Sequence, residues 1–170
     1  MKKVIIAVAF MLGFSVANAQ TFEKGSSVIQ VGAAIGSDFG LPLSASYEYG
    51  VTDKISVGPF VGYASKSFPG GAFLGDYKFT YTLFGARGNY HFYNEGKIDA
   101  YGGVVVGYNS ATISYSNGTP AFPGYVAPTA GGTVFGGQVG ARYYLTDSIG
   151  AFAELGYGIG YFTVGLAYKL

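Results

Sequence analysis

From Ser26 onward apolar and polar residues alternate along the chain. The last ten residues show the pattern most clearly: Phe162, Val164, Leu166, Tyr168 and Leu170 share one face, while Tyr161, Thr163, Gly165, Ala167 and Lys169 share the other. A period of two is a strand with one apolar side. Seven earlier stretches repeat it. Ile29, Val31, Ala33 and Ile35 lie opposite Gln30; Leu43, Ala45, Tyr47 and Tyr49 lie opposite Ser44, Ser46 and Glu48; and Ile55, Val57, Val61 and Tyr63 lie opposite Ser56, Gly58 and Phe60. Phe79 to Phe92 sets Arg87, Asn89 and His91 away from its apolar face, and Ile98 to Tyr108 sets Asp99 and Tyr101 away from its own. Thr133 to Leu145 does the same with Gln138 and Arg142, and Ile149 to Tyr157 with Phe152 and Glu154. Pro59 predicts an irregularity in the third strand, because proline donates nothing to a ladder.

The turns reinforce this reading. Ala45-Ser46-Tyr47, then Thr52-Asp53-Lys54-Ile55, recurs as Ala141-Arg142-Tyr143, then Thr146-Asp147-Ser148-Ile149, which marks a repeated hairpin. Tight turns follow strands two, four and six, whereas longer connections at Lys66 to Tyr77 and Ser116 to Gly131 follow strands three and five. A closing strand at the chain end can pair with the first strand and abolish both sheet edges, as a membrane-spanning sheet requires. The expected fold is all-β, an eight-stranded antiparallel up-and-down transmembrane β-barrel.

Composition sharpens the expectation. Only 11% of residues are charged, Gly numbers 29, Tyr 16 and Phe 14, and mean hydropathy is positive. A soluble domain is about 25% charged. Residues 1–19 read as a cleaved signal peptide: Lys2 and Lys3, the apolar run Val4 to Val16, then Ala17-Asn18-Ala19. Residues 20–170 remain as one barrel domain, with 8 basic against 9 acidic residues once Lys2 and Lys3 are removed. That balance does not suggest nucleic acid, and the lack of cysteine excludes disulfides and thiolate metal sites.

Aromatics fall at both ends of the apolar face. Tyr47, Tyr49, Tyr90, Phe92, Tyr143 and Tyr168 lie toward the short turns, and Tyr63, Tyr108, Tyr157 and Phe162 toward the long loops. Two such girdles are expected where a barrel crosses two water interfaces. With the signal peptide, the eight strands and the strand at the chain end, this pattern resembles the small eight-stranded bacterial outer-membrane barrels of the OmpX and OmpA-barrel type. Two features depart from it: the chain ends in Leu170 where such proteins commonly end in Phe, and it has no Trp. The resemblance implies a bacterial outer-membrane location, lipid and the outer-membrane assembly machinery as partners, and external loops at 66–77 and 116–131 free to meet a ligand. A monomer is expected.

The candidate functional residues are the charges on the non-lipid face: Glu48, Arg87, Asp99, Arg142, Glu154 and Lys169. In an eight-stranded barrel that face fills the lumen. A structural ion-pair network is the expected role, and a narrow solute path the alternative. A soluble lipocalin-like carrier also has eight strands, but buries its apolar face inside. His91, the single histidine, reads as a polar interface residue near a strand end, with no surrounding signature of a metal site or a hydrolytic triad. The glycines Gly156, Gly158 and Gly160 open no helix and so make no phosphate loop. Neither catalytic, metal nor cofactor residues are expected.

Overall fold

The computed structural model describes residues 21–35, 40–69, 76–115, 129–156 and 160–170. The strands are β1 (Ser27–Ile35), β2 (Leu43–Gly50), β3 (Ile55–Phe68), β4 (Tyr77–Glu95), β5 (Ile98–Tyr115), β6 (Thr129–Tyr144), β7 (Ile149–Gly156) and β8 (Phe162–Lys169). Each pairs antiparallel with its neighbours in sequence, and β8 pairs with β1 from Val28↔Lys169 to Ile35↔Phe162, so the sheet closes into a barrel. No helix occurs among the described residues.

The register sets the barrel's shape. Starting at Ile98 and moving strand to strand through Tyr143, Ala151, Leu166, Val31, Ala45, Val61 and Phe84, the path returns to β5 at Tyr108, ten residues further along. With eight strands at ordinary spacings, that stagger tilts the strands by about 40° from the axis. Every residue on this path points outward, and most are large and apolar. They include Val31, Val61, Phe84, Tyr108 and Leu166, all exposed.

The strands are unequal in length. β1, β2, β7 and β8 have 8 or 9 residues, whereas β3 to β6 have 14, 19, 18 and 16 and project past the others at one end. On that projection the outward face changes character. Beyond Tyr63 and Tyr108 it carries Ser65, Ser67, Lys78, Thr80, Thr112 and Ser114, which face one another across the ladders. The apolar band therefore stops at a row of tyrosines and gives way to hydroxyls, as expected where a barrel leaves lipid for water.

At the opposite end the repeated hairpin signature builds the same turn twice. The Thr52 and Thr146 hydroxyls accept from the Ile55 and Ile149 amides at 2.9 and 3.0 Å, and the Val51 and Leu145 amides donate to the Ile55 and Ile149 carbonyls at 2.9 and 2.8 Å. The third tight turn uses Gly96 at φ +59°, where a side chain would be strained.

The structure corrects several expected boundaries. Lys66 to Phe68 and Thr129 to Gly131 belong to strands rather than loops, and β4 and β5 extend to Glu95 and Tyr115. At Pro59 the ladder to β2 skips from Ser46↔Phe60 to Tyr49↔Val57 without changing register, while pairing with Ala86 on β4 continues. The backbones crowd there: a Cβ on Gly58 would lie 1.8 Å from the Tyr47 carbonyl oxygen. The register shift falls elsewhere, between His91 and Tyr93, which leaves both Phe92 and Tyr93 facing outward. The signal peptide and Tyr157 lie outside the described residues, as do most of the two long connections.

Candidate functional site in the barrel lumen

Inward side chains of seven strands meet in a buried ion cluster. Arg142 of β6 is its centre and is fully enclosed. Its Nη1 donates to Asp99 Oδ2 at 2.8 Å, across the β5–β6 ladder that pairs the two residues. Its Nη2 crosses the lumen to Glu48 Oε1 at 2.6 Å and Gln30 Oε1 at 3.1 Å, and its guanidinium lies 4.2 Å from the Tyr101 ring centroid. Arg87 of β4 continues the chain, with Nη2 at 3.2 Å from Glu48 Oε1 and in a short contact with Glu154. Tyr101 braces the junction, donating to Glu154 Oε1 at 2.6 Å and accepting from Gln30 Nε2 at 3.0 Å. With its amide oxygen turned toward Arg87, Gln138 accepts from Nη2 and Nε at 2.7 and 2.9 Å. Charges taken out of water need such pairing, since an unpaired one is costly; of the Arg142 guanidinium only Nε is left without a partner among the described residues.

Five of the six charged residues marked in the sequence thus come together. Lys169 does not. It points inward near the end of β8 but is only half-buried and forms no ion pair with a described residue, because the cluster lies deeper in the lumen than the last residues of that strand.

His91 is placed differently from the sequence reading. It is a buried lumen residue rather than an interfacial one, with Nδ1 2.6 Å from Asp99 Oδ1 and Nε2 3.0 Å from Ser56 Oγ. Ser56, His91 and Asp99 follow the order of a hydrolytic relay, but their surroundings oppose that chemistry. Ser56 also donates to Glu48 Oε2 at 3.0 Å, so the hydroxyl faces a carboxylate where an oxyanion would need donors. All three residues are enclosed. The alternation had already set His91 on the inner face with Arg87 and Asn89; its depth in the lumen is what a position near the strand end did not convey.

Phe22, which precedes the first strand, closes the cluster on the turn side. Its ring stacks on His91 at 3.7 Å and 7°, fully buried. The segment is tied down by the Phe22 amide to Asn94 Oδ1 at 2.9 Å, Thr21 Oγ1 to the same oxygen at 2.6 Å, the Lys24 amide to Asp53 Oδ1 at 3.0 Å, and Gly25 N to Gly50 O at 2.8 Å. Nothing in the alternating pattern signals this stopper, because Phe22 meets His91 and Asn94, which lie about seventy positions further along the chain.

The outward face presents the aromatic sets. Tyr47, Tyr49, Tyr90, Phe92 and Tyr168 are exposed toward the turn end and Tyr63, Tyr108 and Phe162 toward the other, while Tyr143 is half-buried.

Comparison with known proteins places this architecture. The N-terminal β-barrel domain of Pseudomonas aeruginosa OprF superposes with a TM-score of 0.64 at 17% identity, covering 86% of this chain and 98% of that one. The fold is that of the small eight-stranded outer-membrane barrels. Yersinia pestis Ail, crystallised in complex with the heparin analogue sucrose octasulfate, gives 0.60 at 16% identity over 86% and 99%. Pseudomonas aeruginosa OprG gives 0.57 at 13% identity over 89% and 99%. No protein-family model matches the sequence, and no curated protein matches it either.

Proposed function

We propose that the chain is an integral protein of the bacterial outer membrane whose lumen is sealed and whose work is structural or done by its external surface. The tight turns and both chain ends face the periplasm, and the projecting β3–β6 sheet with connections 66–77 and 116–131 faces outward. The observation that carries the reading is the cluster itself: Phe22, His91, Asp99, Arg142, Glu48, Arg87 and Glu154 form an unbroken series of contacts across the barrel, inside an exterior whose apolar band ends in tyrosines and hydroxyls. A lipocalin-like carrier would need the reverse arrangement. Lipid and the assembly machinery are the partners of such a barrel, which acts as a monomer and uses neither catalysis nor a cofactor. The likeness to a barrel crystallised with a heparin analogue supports a surface-binding role for the external connections.

Single-channel recording of the purified protein in planar bilayers tests the sealed lumen. Silence, or only rare brief openings, is expected; steady reproducible steps would establish the narrow-pore alternative instead. A pull-down of cell-surface and matrix components with the full chain, and with residues 116–128 replaced by a short glycine-serine linker, tests the surface role. Equal capture by both would remove that connection from it.

A further inference from the structure

Beyond the ion cluster, toward the projecting strands, the lumen is not filled. A cavity of about 60 Å³ lies between Arg87, Glu154 and Gln138 on one side and Phe60, Leu83 and Val105 on the other. At about 10–15 Å³ for each water-sized occupant, it has room for roughly four to six heavy atoms.

Two observations point to a ligand rather than a packing gap. The first is charge. The cluster beneath the cavity holds the carboxylates of Glu48, Asp99 and Glu154 against the guanidiniums of Arg87 and Arg142, so one negative charge is in excess before His91 is counted. His91 lies at the far end of the cluster, against Asp99 and Phe22. Of the three carboxylates, Glu154 is the one that lines the cavity.

The second observation is a set of polar atoms without partners. Both hydrogen bonds to Glu154 end on Oε1, leaving Oε2 with no partner among the described residues. Thr163, which opposes Glu154 across the β7–β8 ladder, is only 8% exposed, lines the same cavity, and makes no side-chain hydrogen bond with a described residue. Its methyl group faces Gly32 on the neighbouring strand, where a Cβ would come within 3.0 Å of it.

We propose that this cavity binds a small organic ammonium ion. The ammonium group supplies up to three donors, which suit the free Glu154 oxygen and the Thr163 hydroxyl. Its short alkyl part packs against Leu83, Val105 and Phe60. An anion would meet the Glu154 carboxylate and the excess negative charge.

The test uses the full barrel refolded in an uncharged glucoside detergent, with the Thr163 methyl followed by carbon-13 NMR. Three probes of similar size separate charge from shape: propylammonium, 1-propanol and propionate. A saturable shift with propylammonium is expected, with at least tenfold weaker binding of the other two. Glu154→Gln, which keeps an oxygen acceptor for Tyr101 and Arg87, should weaken propylammonium at least tenfold. Val105→Phe leaves every charge in place, fills the cavity, and should abolish binding; it decides the matter if Glu154→Gln does not refold. No saturable shift, equal binding of 1-propanol, or propylammonium binding that survives Val105→Phe would overturn the proposal.

Discussion

Replacing Arg142 by Met is the most informative single perturbation of this barrel. Arg142 is fully buried and holds Glu48 at 2.6 Å and Asp99 at 2.8 Å, so the change leaves two enclosed carboxylates short of their principal cation. Glu48 keeps Arg87 at 3.2 Å and a hydrogen bond from Ser56, while Asp99 keeps only His91. Removing one partner of a buried pair costs about 3–5 kcal/mol, because the remaining charge stays out of water. Met keeps the aliphatic stem but ends short of the guanidinium beside Tyr101, so the single loss includes a packing part, and the comparison with the triple variant isolates the electrostatic part. Removing the stranded charges should restore much of it: the triple variant Arg142→Met, Glu48→Gln, Asp99→Asn is expected to recover at least half of the lost stability, since no unpaired carboxylate remains there. Reversible urea unfolding in lipid vesicles, followed by tyrosine fluorescence and heat-modifiable gel mobility, measures both variants. A loss under about 1 kcal/mol for the single variant, below the range for a buried pair, would refute the argument. So would a triple variant no better than the single one.

Three other outcomes follow from the same geometry. Val104 is 69% exposed on the outward face in mid-strand, and Val104→Arg should cost about 2–4 kcal/mol in the same unfolding assay if that face meets lipid; an unchanged midpoint would argue against it. Phe22→Ala removes the ring stacked on His91 and should lower stability by about 3–5 kcal/mol, the range for a buried aromatic, together with faster hydrogen exchange at the His91 amide; unchanged exchange would deny the stopper role. Protease added to intact cells should cut within 66–77 or 116–131 and spare the turn at Thr52 to Lys54; cleavage only at that turn would invert the topology.

Much of this architecture was legible in the sequence because a barrel wall is a local pattern. Alternation assigns each residue to the inner or outer face without reference to any distant partner, and that suffices for eight strands, the apolar exterior and an inward set of opposite charges. The repeated Thr52 and Thr146 turns were legible for the same reason, since their hydrogen bonds span three residues. Lengths and irregularities were less so: β4 and β5 run further than the turn residues suggested, and the register shift falls beside Phe92 rather than at Pro59.

The tertiary structure alone decided which inward residues meet. A ten-residue stagger brings Glu48 of β2 to Arg142 of β6 across the lumen and leaves Lys169 outside the cluster, although all three share the inner face. It also turns His91 from an expected interfacial residue into a buried link between Asp99 and Ser56, and draws Phe22 from ahead of the first strand to cover it. The physical reason is that periodicity gives the direction of a side chain, whereas its height depends on strand tilt and closure. Those are properties of the whole ring, summed over eight registers, and no stretch of sequence carries them by itself.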